Sequence, residues 1–314
     1  MTGDGSGDQP RILLTGATGQ VGGQLLRTLS SLGTVIAPCR SEMDLSQSVR
    51  VREVIRAVQP RWIVNPGAYT AVDKAESEPE LAYAVNQSCV AAIGEEAKKI
   101  GAAVIHFSTD YVFSGAGSAP YRETDATLPT SVYGASKLAG EQALAASGAA
   151  YLIFRTSWVY GSTGKNFLLT ILKLARERES LRIVADQHGA PTSSEDLARM
   201  VVSVISQCEA SARREGLAIT DSVSKVSGLY HAAGTGETTW HGFAREAVHQ
   251  MSERQSGARY ASIDPIATED YPTPAKRPAN SRLDCSKLAD SFGWRMPEWQ
   301  ESLGKVIGDI PLPS

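Results

Sequence analysis

The sequence has 314 residues, 42% hydrophobic and 21% charged, enough for a large α/β core with disorder confined to local segments. A net charge of −3 offers no basic excess for phosphate backbones, which argues against nucleic acid as a partner. No apolar run approaches the ~20 residues that cross a bilayer. Cys39, Cys89, Cys208 and Cys285 form no CxxC pair, and the stretch from Met1 to Asp8 is polar and acidic, so a cytoplasmic protein without membrane, zinc or disulfide framework is expected.

After a flexible tail at 1–9, Arg11-Ile12-Leu13-Leu14 reads as a buried strand. Val21, Leu25, Leu26 and Leu29 then recur at helical spacing between Gln20 and Leu32. A strand follows over Thr34–Ala37, a helix over Gln47–Val58 and a third strand over Arg61–Asn65. One helix is expected from about Glu80 to Ile100, then a strand over Ala102–Phe107, a helix over Val132–Ala146 and a strand over Tyr151–Arg155. Alternation at this interval predicts right-handed βαβ units, that is, a Rossmann-type doubly wound α/β fold with a parallel sheet covered on both faces. The pattern weakens after Trp158; Leu229-Tyr230-His231 is strand-like and a helix should run from about Trp240 to Met251. The expected division is a dinucleotide-binding domain over 10–160 with returning segments, and a substrate-binding lobe over 161–314. The polar stretch from Cys208 to Ser227 reads as a mobile surface insertion.

The turn Thr15-Gly16-Ala17-Thr18-Gly19-Gln20-Val21-Gly22 places glycines at GxxGxxG spacing between the first strand and first helix. Gly16 permits the tight turn, Gly19 lets backbone approach a pyrophosphate, and Gly22 lets helix pack on strand. The helix N-terminus adds free N–H groups and a positive dipole end. The second strand ends Ala37-Pro38-Cys39-Arg40-Ser41, with no carboxylate before Glu42, so Arg40 favours the 2′-phosphate of NADPH, with NADH a second substrate.

Tyr133 and Lys137 stand one helical turn apart and project from one face. A phenol is a poor proton donor at neutral pH, and a neighbouring ammonium is expected to lower its pKa. In reduction the tyrosine would protonate the forming alkoxide while hydride arrives from the nicotinamide, and Lys137 would also hold the nicotinamide ribose. Thr109, in Ser108-Thr109-Asp110 directly after the fourth strand, is the candidate hydrogen-bond donor to the substrate carbonyl, a role that can coexist with an ST-turn.

These strings, with Asn65-Pro66-Gly67-Ala68-Tyr69-Thr70, Ser108-Thr109-Asp110-Tyr111-Val112-Phe113, Arg155-Thr156-Ser157-Trp158 and Asp186-Gln187-His188-Gly189-Ala190-Pro191-Thr192, resemble the extended short-chain dehydrogenase/reductase superfamily. Within it the chain is similar to the dTDP-4-dehydrorhamnose reductase family. The resemblance implies NADPH-dependent reduction of the 4-keto group of a dTDP-linked deoxysugar. By position it places Gly19, Gln20, Val21, Asp44, Leu45, Ala68, Tyr69, Thr70, Tyr133 and Lys137 around the cofactor, and Thr109, Asp110 and Trp158 at the sugar nucleotide. It also implies a homodimer with magnesium held by glutamates at its interface. Gln24 stands where one glutamate is expected, and a neutral amide is a weak ligand for a hard dication, which argues against the metal and that dimer; Glu195 matches another. Asp73 reads as a cap of a charged helix start, and Arg277 and Arg282 as surface ion pairs or contacts to the nucleotide phosphates.

Two rival readings stand beside this one. A 4,6-dehydratase would carry a second acid after Asp110, where this chain has Tyr111, and a 4-epimerase would recycle a tightly held nicotinamide. A non-catalytic regulatory subunit would need no activated tyrosine, against the presence of Thr109, Tyr133 and Lys137.

Overall fold

Four nearly continuous apolar runs form parallel strands, β1 (Arg11–Leu14), β3 (Trp62–Asn65), β4 (Ala103–Thr109) and β5 (Ala150–Thr156), with the shorter β2 (Thr34–Ile36) after β1. In the computed structural model, which describes residues 9–311, they join the strand Gly228–His231 in one six-stranded sheet. Its order is Gly228–His231, β5, β4, β3, β1, β2, and every neighbouring pair is parallel. All of β3 and β4 is buried, as a strand covered on both faces requires. The expected flexible tail at 1–9 lies, apart from Gln9, outside the described residues.

One face carries the helices Gln20–Thr28 and Ser194–Glu215, whose Leu25, Leu197, Met200, Val201 and Val204 pack on Leu14, Val64 and Ile105. The other carries Ser48–Val58, Cys89–Ile100 and Val132–Ala146, which enclose Val51, Ile55, Ile93 and Leu144 with Leu13, Ile63 and Val104. Each of these fully buried side chains contributes about 1.5–3 kcal/mol, which makes the sheet a stiff platform for its carboxyl edge. A separate core of Tyr160, Leu168, Ile171, Phe243, Met251, Trp299 and Leu303 builds the second lobe, around the parallel pair Ser180–Val184 and Ser262–Ile266. Among the described residues no helix is long and apolar enough to cross a membrane.

Three expectations need correction. The stretch from Cys208 to Ser227 is not a mobile insertion: the helix Ser194–Glu215 runs through its first part and Ile219–Ser224 forms another. Cys208 and Ala212, then Ile219 and Val223, recur at i,i+4 and are buried in the main core, so an apolar stripe fixes both helices despite their polar faces. The single helix expected over Glu80–Ile100 is interrupted, with Pro79–Tyr83 and Cys89–Ile100 joined by a π-helical turn at Ala84–Ser88. Asp73 caps nothing; Ala71 holds the N-cap position, and the Asp73 carboxylate accepts from Arg277 Nη2 at 2.7 Å.

Candidate active site

The sheet order reverses between β1 and β3, and the crevice at that switch point is where doubly wound folds bind ligands. Here the turns after the two strands touch: a Cβ on Gly16, which has φ +57°, would lie 2.7 Å from Gly67 Cα. Gly19 donates its N–H to Gly16 O at 2.9 Å and stands at the N-cap of Gln20–Thr28, with no side chain capping that helix. Gly22 meets the same carbonyl so closely that a Cβ would stand 2.0 Å from it. Uncapped helical N–H groups over a turn with glycine at positions 16 and 19 fit a pyrophosphate.

Around this cradle the predicted residues take different parts. Val21 packs against the core, while the Gln20 amide ties the turn to the following lobe, donating to Thr163 O at 2.8 Å and accepting from Asn166 Nδ2 at 3.1 Å. Arg40 is exposed beyond β2, with Nε 3.5 Å from the Asp44 carboxylate. Asp44 itself is pinned by the Ser46 N–H and hydroxyl, which hold its carboxyl below the usual range. Leu45 reaches the Gly67 backbone, where a Cβ would stand 2.6 Å from its Cδ1. Ala68, Tyr69 and Thr70 form the turn after β3, and the Tyr69 hydroxyl donates to Glu78 at 2.6 Å, which raises its pKa to about 12.

The helix Val132–Ala146 starts where Ser131 Oγ accepts from the Gly134 N–H at 3.1 Å and Glu76 accepts from Val132 N at 2.9 Å. Such a cap contributes about 1 kcal/mol. Two glycines let this helix approach the site: a Cβ on Gly134 would stand 2.2 Å from Tyr111 O, and one on Gly140 would stand 2.0 Å from Asn86 O. Farther along, Glu141 holds Arg155 of β5 in a buried two-pronged pair at 2.8 and 2.6 Å.

Tyr133 and Thr109 are brought together at the sheet's edge, as the sequence suggests. Thr109 Oγ1 donates to Asp110 Oδ1 at 3.0 Å and accepts from Tyr111 N at 3.2 Å, so the ST-turn is present. Tyr133 differs from expectation: burial raises its pKa to about 12, the Thr109 hydroxyl only partly opposing this. The lysine is instead turned toward β4, where Nζ donates to Phe107 O at 2.6 Å and lies 3.3 Å from His106 Nε2. Burial pulls its pKa down to about 8. Asp110, also buried, has its carboxyl raised to about 6, and its Oδ2 finds no hydrogen-bond partner among the described residues. Tyr111 packs its ring edge-on against Tyr133 at 5.5 Å, so an aromatic ring fills the place of a second acid.

Trp158, two residues past β5, holds φ +50°, a strained value for a side-chain-bearing residue and one found chiefly where surrounding structure enforces it. Its indole stacks on Trp240 at 3.8 Å and 14°, and Gly189 closes from another side, where a Cβ would stand 2.6 Å from the ring. Sequence reasoning gave Trp240 no role. It also missed Asn86, whose amide accepts from Tyr69 N at 2.9 Å and donates to Tyr69 O at 3.1 Å and Ser136 Oγ at 3.0 Å. Asn86 lies within the π-turn, a local distortion frequent at functional sites. Arg277 and Arg282 form ion pairs, with Asp73 and Glu237. Of the residues considered for magnesium, Gln24 Oε1 accepts from Arg27 and Glu195 pairs with Arg199.

Residues 10–311 match the family model described as the RmlD substrate binding domain. A dTDP-4-dehydrorhamnose reductase of Burkholderia thailandensis is 44% identical over 302 residues, 96% of this chain and 99% of that protein. The chain belongs to the dTDP-4-dehydrorhamnose reductase family. Another member, from Escherichia coli strain K12, is 45% identical over 303 residues, 95% of this chain and 97% of its own. The crystal structure of the family member from Bacillus anthracis, in complex with NADP, superposes with a TM-score of 0.84 at 33% identity, covering 96% of this chain and 99% of that one.

Proposed function

We propose that the chain reduces the 4-keto group of dTDP-4-dehydro-β-L-rhamnose to dTDP-β-L-rhamnose at the expense of NADPH. The observation that carries the reading is the match to this reductase family over nearly the whole chain, and it is supported by the buried Tyr133 ring packed on Tyr111, two residues past Thr109. Gly16, Gly19 and Gly22 would hold the cofactor's pyrophosphate, Arg40 its 2′-phosphate, and Lys137 the nicotinamide ribose. The bound nicotinamide supplies the hydride. Thr109, turning its hydroxyl proton away from Asp110 Oδ1, donates a hydrogen bond to the carbonyl oxygen and favours the charge that gathers there. Tyr133 then gives up its phenolic proton to that oxygen, so its O–H breaks as the product hydroxyl forms. The phenol is protonated at neutral pH and so has the proton to give. Trp158, stacked on Trp240, offers an apolar wall for the deoxysugar. Asp110 Oδ2 would accept from a sugar hydroxyl.

The test supplies the 4-keto sugar nucleotide and follows the oxidation of NADPH and of NADH, with and without magnesium. The proposal predicts one NADPH consumed per dTDP-rhamnose formed, faster than with NADH. Interconversion of sugars without net oxidation would identify an epimerase, and absence of any turnover would favour a binding subunit.

A further inference from the structure

Three neighbouring strands of the sheet carry a polar residue at the same level: Thr15 just after β1, Asn65 at the end of β3 and His106 in the middle of β4. Leu13, Ile63 and Val104 lie side by side in the core beneath the helices Cys89–Ile100 and Val132–Ala146. Two residues further on, Thr15, Asn65 and His106 occupy the next layer, and all three are at most 2% exposed. They form a row: Thr15 Oγ1 lies 2.5 Å from Asn65 Oδ1, Asn65 Nδ2 lies 2.9 Å from His106 Nδ1, and His106 Nε2 lies 3.3 Å from Lys137 Nζ. Thr15 Oγ1 also accepts from Gly67 N at 3.1 Å, so the row begins at the turns that form the glycine cradle. A polar layer this deep is retained only when its members satisfy one another.

Resting on the reading of Lys137 given above, we propose that His106 is a positioning residue for that lysine: a neutral imidazole that accepts a hydrogen bond from the ammonium and is itself oriented by Asn65 and Thr15. Counting protons shows what the row must do. A neutral imidazole has one donor and one acceptor nitrogen. When Lys137 is charged, Nε2 accepts from it, the ring proton sits on Nδ1, and Asn65 turns its oxygen toward that proton. When Lys137 is neutral, Nε2 carries the proton and donates to Nζ, Nδ1 accepts from the Asn65 amide, and Asn65 Oδ1 accepts from the Thr15 hydroxyl. The two states differ by a tautomer shift, a half-turn of one amide and a turn of the Thr15 hydroxyl, and the amide orientation seen here is that of the second state. Burial and the adjacent lysine keep His106 itself from charging at neutral pH.

The other groups facing Lys137 do not replace this acceptor. Glu141, one turn along the same helix, is engaged with Arg155. Cys89, on the helix packed alongside, is kept protonated by burial, opposed by Lys137 and supported by Asp44. Tyr133 is turned to Thr109. His106 and the Phe107 carbonyl are therefore the groups that hold the ammonium.

The test compares His106→Leu with His106→Gln, whose amide oxygen reaches toward the place of Nε2, across a pH profile of kcat for keto-sugar reduction. The alkaline limb reports loss of the Lys137 proton. Losing one hydrogen bond to a charged group should move that limb about one unit toward acid in His106→Leu, leaving turnover at pH 8 roughly fivefold low while most of the acid plateau is kept. His106→Gln should restore the limb. An unmoved limb in His106→Leu, or activity lowered by one constant factor at all pH values, would overturn the proposal. A second measurement is independent of turnover: ¹⁵N shifts of the His106 ring in the wild-type protein should show the proton moving from Nδ1 to Nε2 as Lys137 titrates, and no such movement in Lys137→Met. A ring that ignores the lysine's titration would refute the assignment even if the enzyme reduces its substrate. A wild-type protein that turns over no keto sugar, yet shows the tautomer shift, would sink the functional reading and leave the row standing.

Discussion

Gly22 and Gly23 are adjacent in one helix, and alanine should have opposite effects at the two positions. A Cβ on Gly22 would stand 2.0 Å from Gly16 O, 2.6 Å from Gly16 C and 3.1 Å from Ala17 Cα, all backbone atoms of the cofactor turn. Ordinary carbon–oxygen contacts begin near ~3.3 Å, so the helix must shift by more than about 1 Å from the turn. Overpacking of this kind costs about 1–3 kcal/mol. The displaced element is also the helix end that would bind pyrophosphate, so NADPH affinity should fall at least tenfold, about 1.4 kcal/mol. At Gly23 the nearest atom would be Ala17 O at 3.6 Å, an ordinary contact. Gly23→Ala should therefore keep cofactor affinity and gain about 0.5–1 kcal/mol from restricting the unfolded chain. Urea unfolding and calorimetric titration with NADPH measure both effects. A Gly22→Ala protein that binds NADPH as tightly as wild type and unfolds at the same urea concentration would refute the packing argument.

Two further outcomes follow from the charged groups. Arg40→Ala should raise KM for NADPH more than for NADH, because the guanidinium is exposed at the end of β2 and only loosely paired with Asp44 at 3.5 Å; equal changes for both cofactors would exclude it as the 2′-phosphate contact. Lys137→Met should abolish most activity yet unfold at higher urea at pH 7, by an amount of order 1–3 kcal/mol, because a folded pKa of about 8 against 10.5 means that charge is buried at a cost. The sign follows from proton counting: the unfolded wild-type chain binds the extra proton between these values, so wild-type stability rises with pH through that window and the advantage of the variant should shrink there. A variant less stable at pH 7, or an advantage independent of pH, would contradict the assignment.

The sheet was legible because strands covered on both faces must be continuous apolar runs, and β1, β3, β4 and β5 all fall within a residue or two of the runs seen in the sequence. The glycine turn and the Tyr133–Lys137 spacing were legible because each is a local pattern with a local physical cause. What escaped was set by register or by distant packing. Thr15, Asn65 and His106 each look like an isolated polar residue within or just after an apolar strand, and only lateral alignment makes them a row. Trp240 meets Trp158 across lobes. The π-turn at Asn86 inserts one residue into an otherwise regular helical period, which periodicity smooths over. In the stretch from Cys208, polar residues outnumber the i,i+4 apolar stripe that anchors its helices in the core. The direction of the Tyr133 shift was likewise invisible, since spacing puts Lys137 on the same helix face but does not reveal that its ammonium is bound to Phe107 O.

The most direct test of the whole account is Tyr133→Phe, which removes one hydroxyl and leaves the buried ring against Tyr111. The account predicts that kcat for NADPH-dependent keto-sugar reduction falls by at least about 10²-fold, with NADPH affinity and urea stability close to wild type. A Tyr133→Phe enzyme with wild-type kcat would contradict it, because the proton would then come from elsewhere.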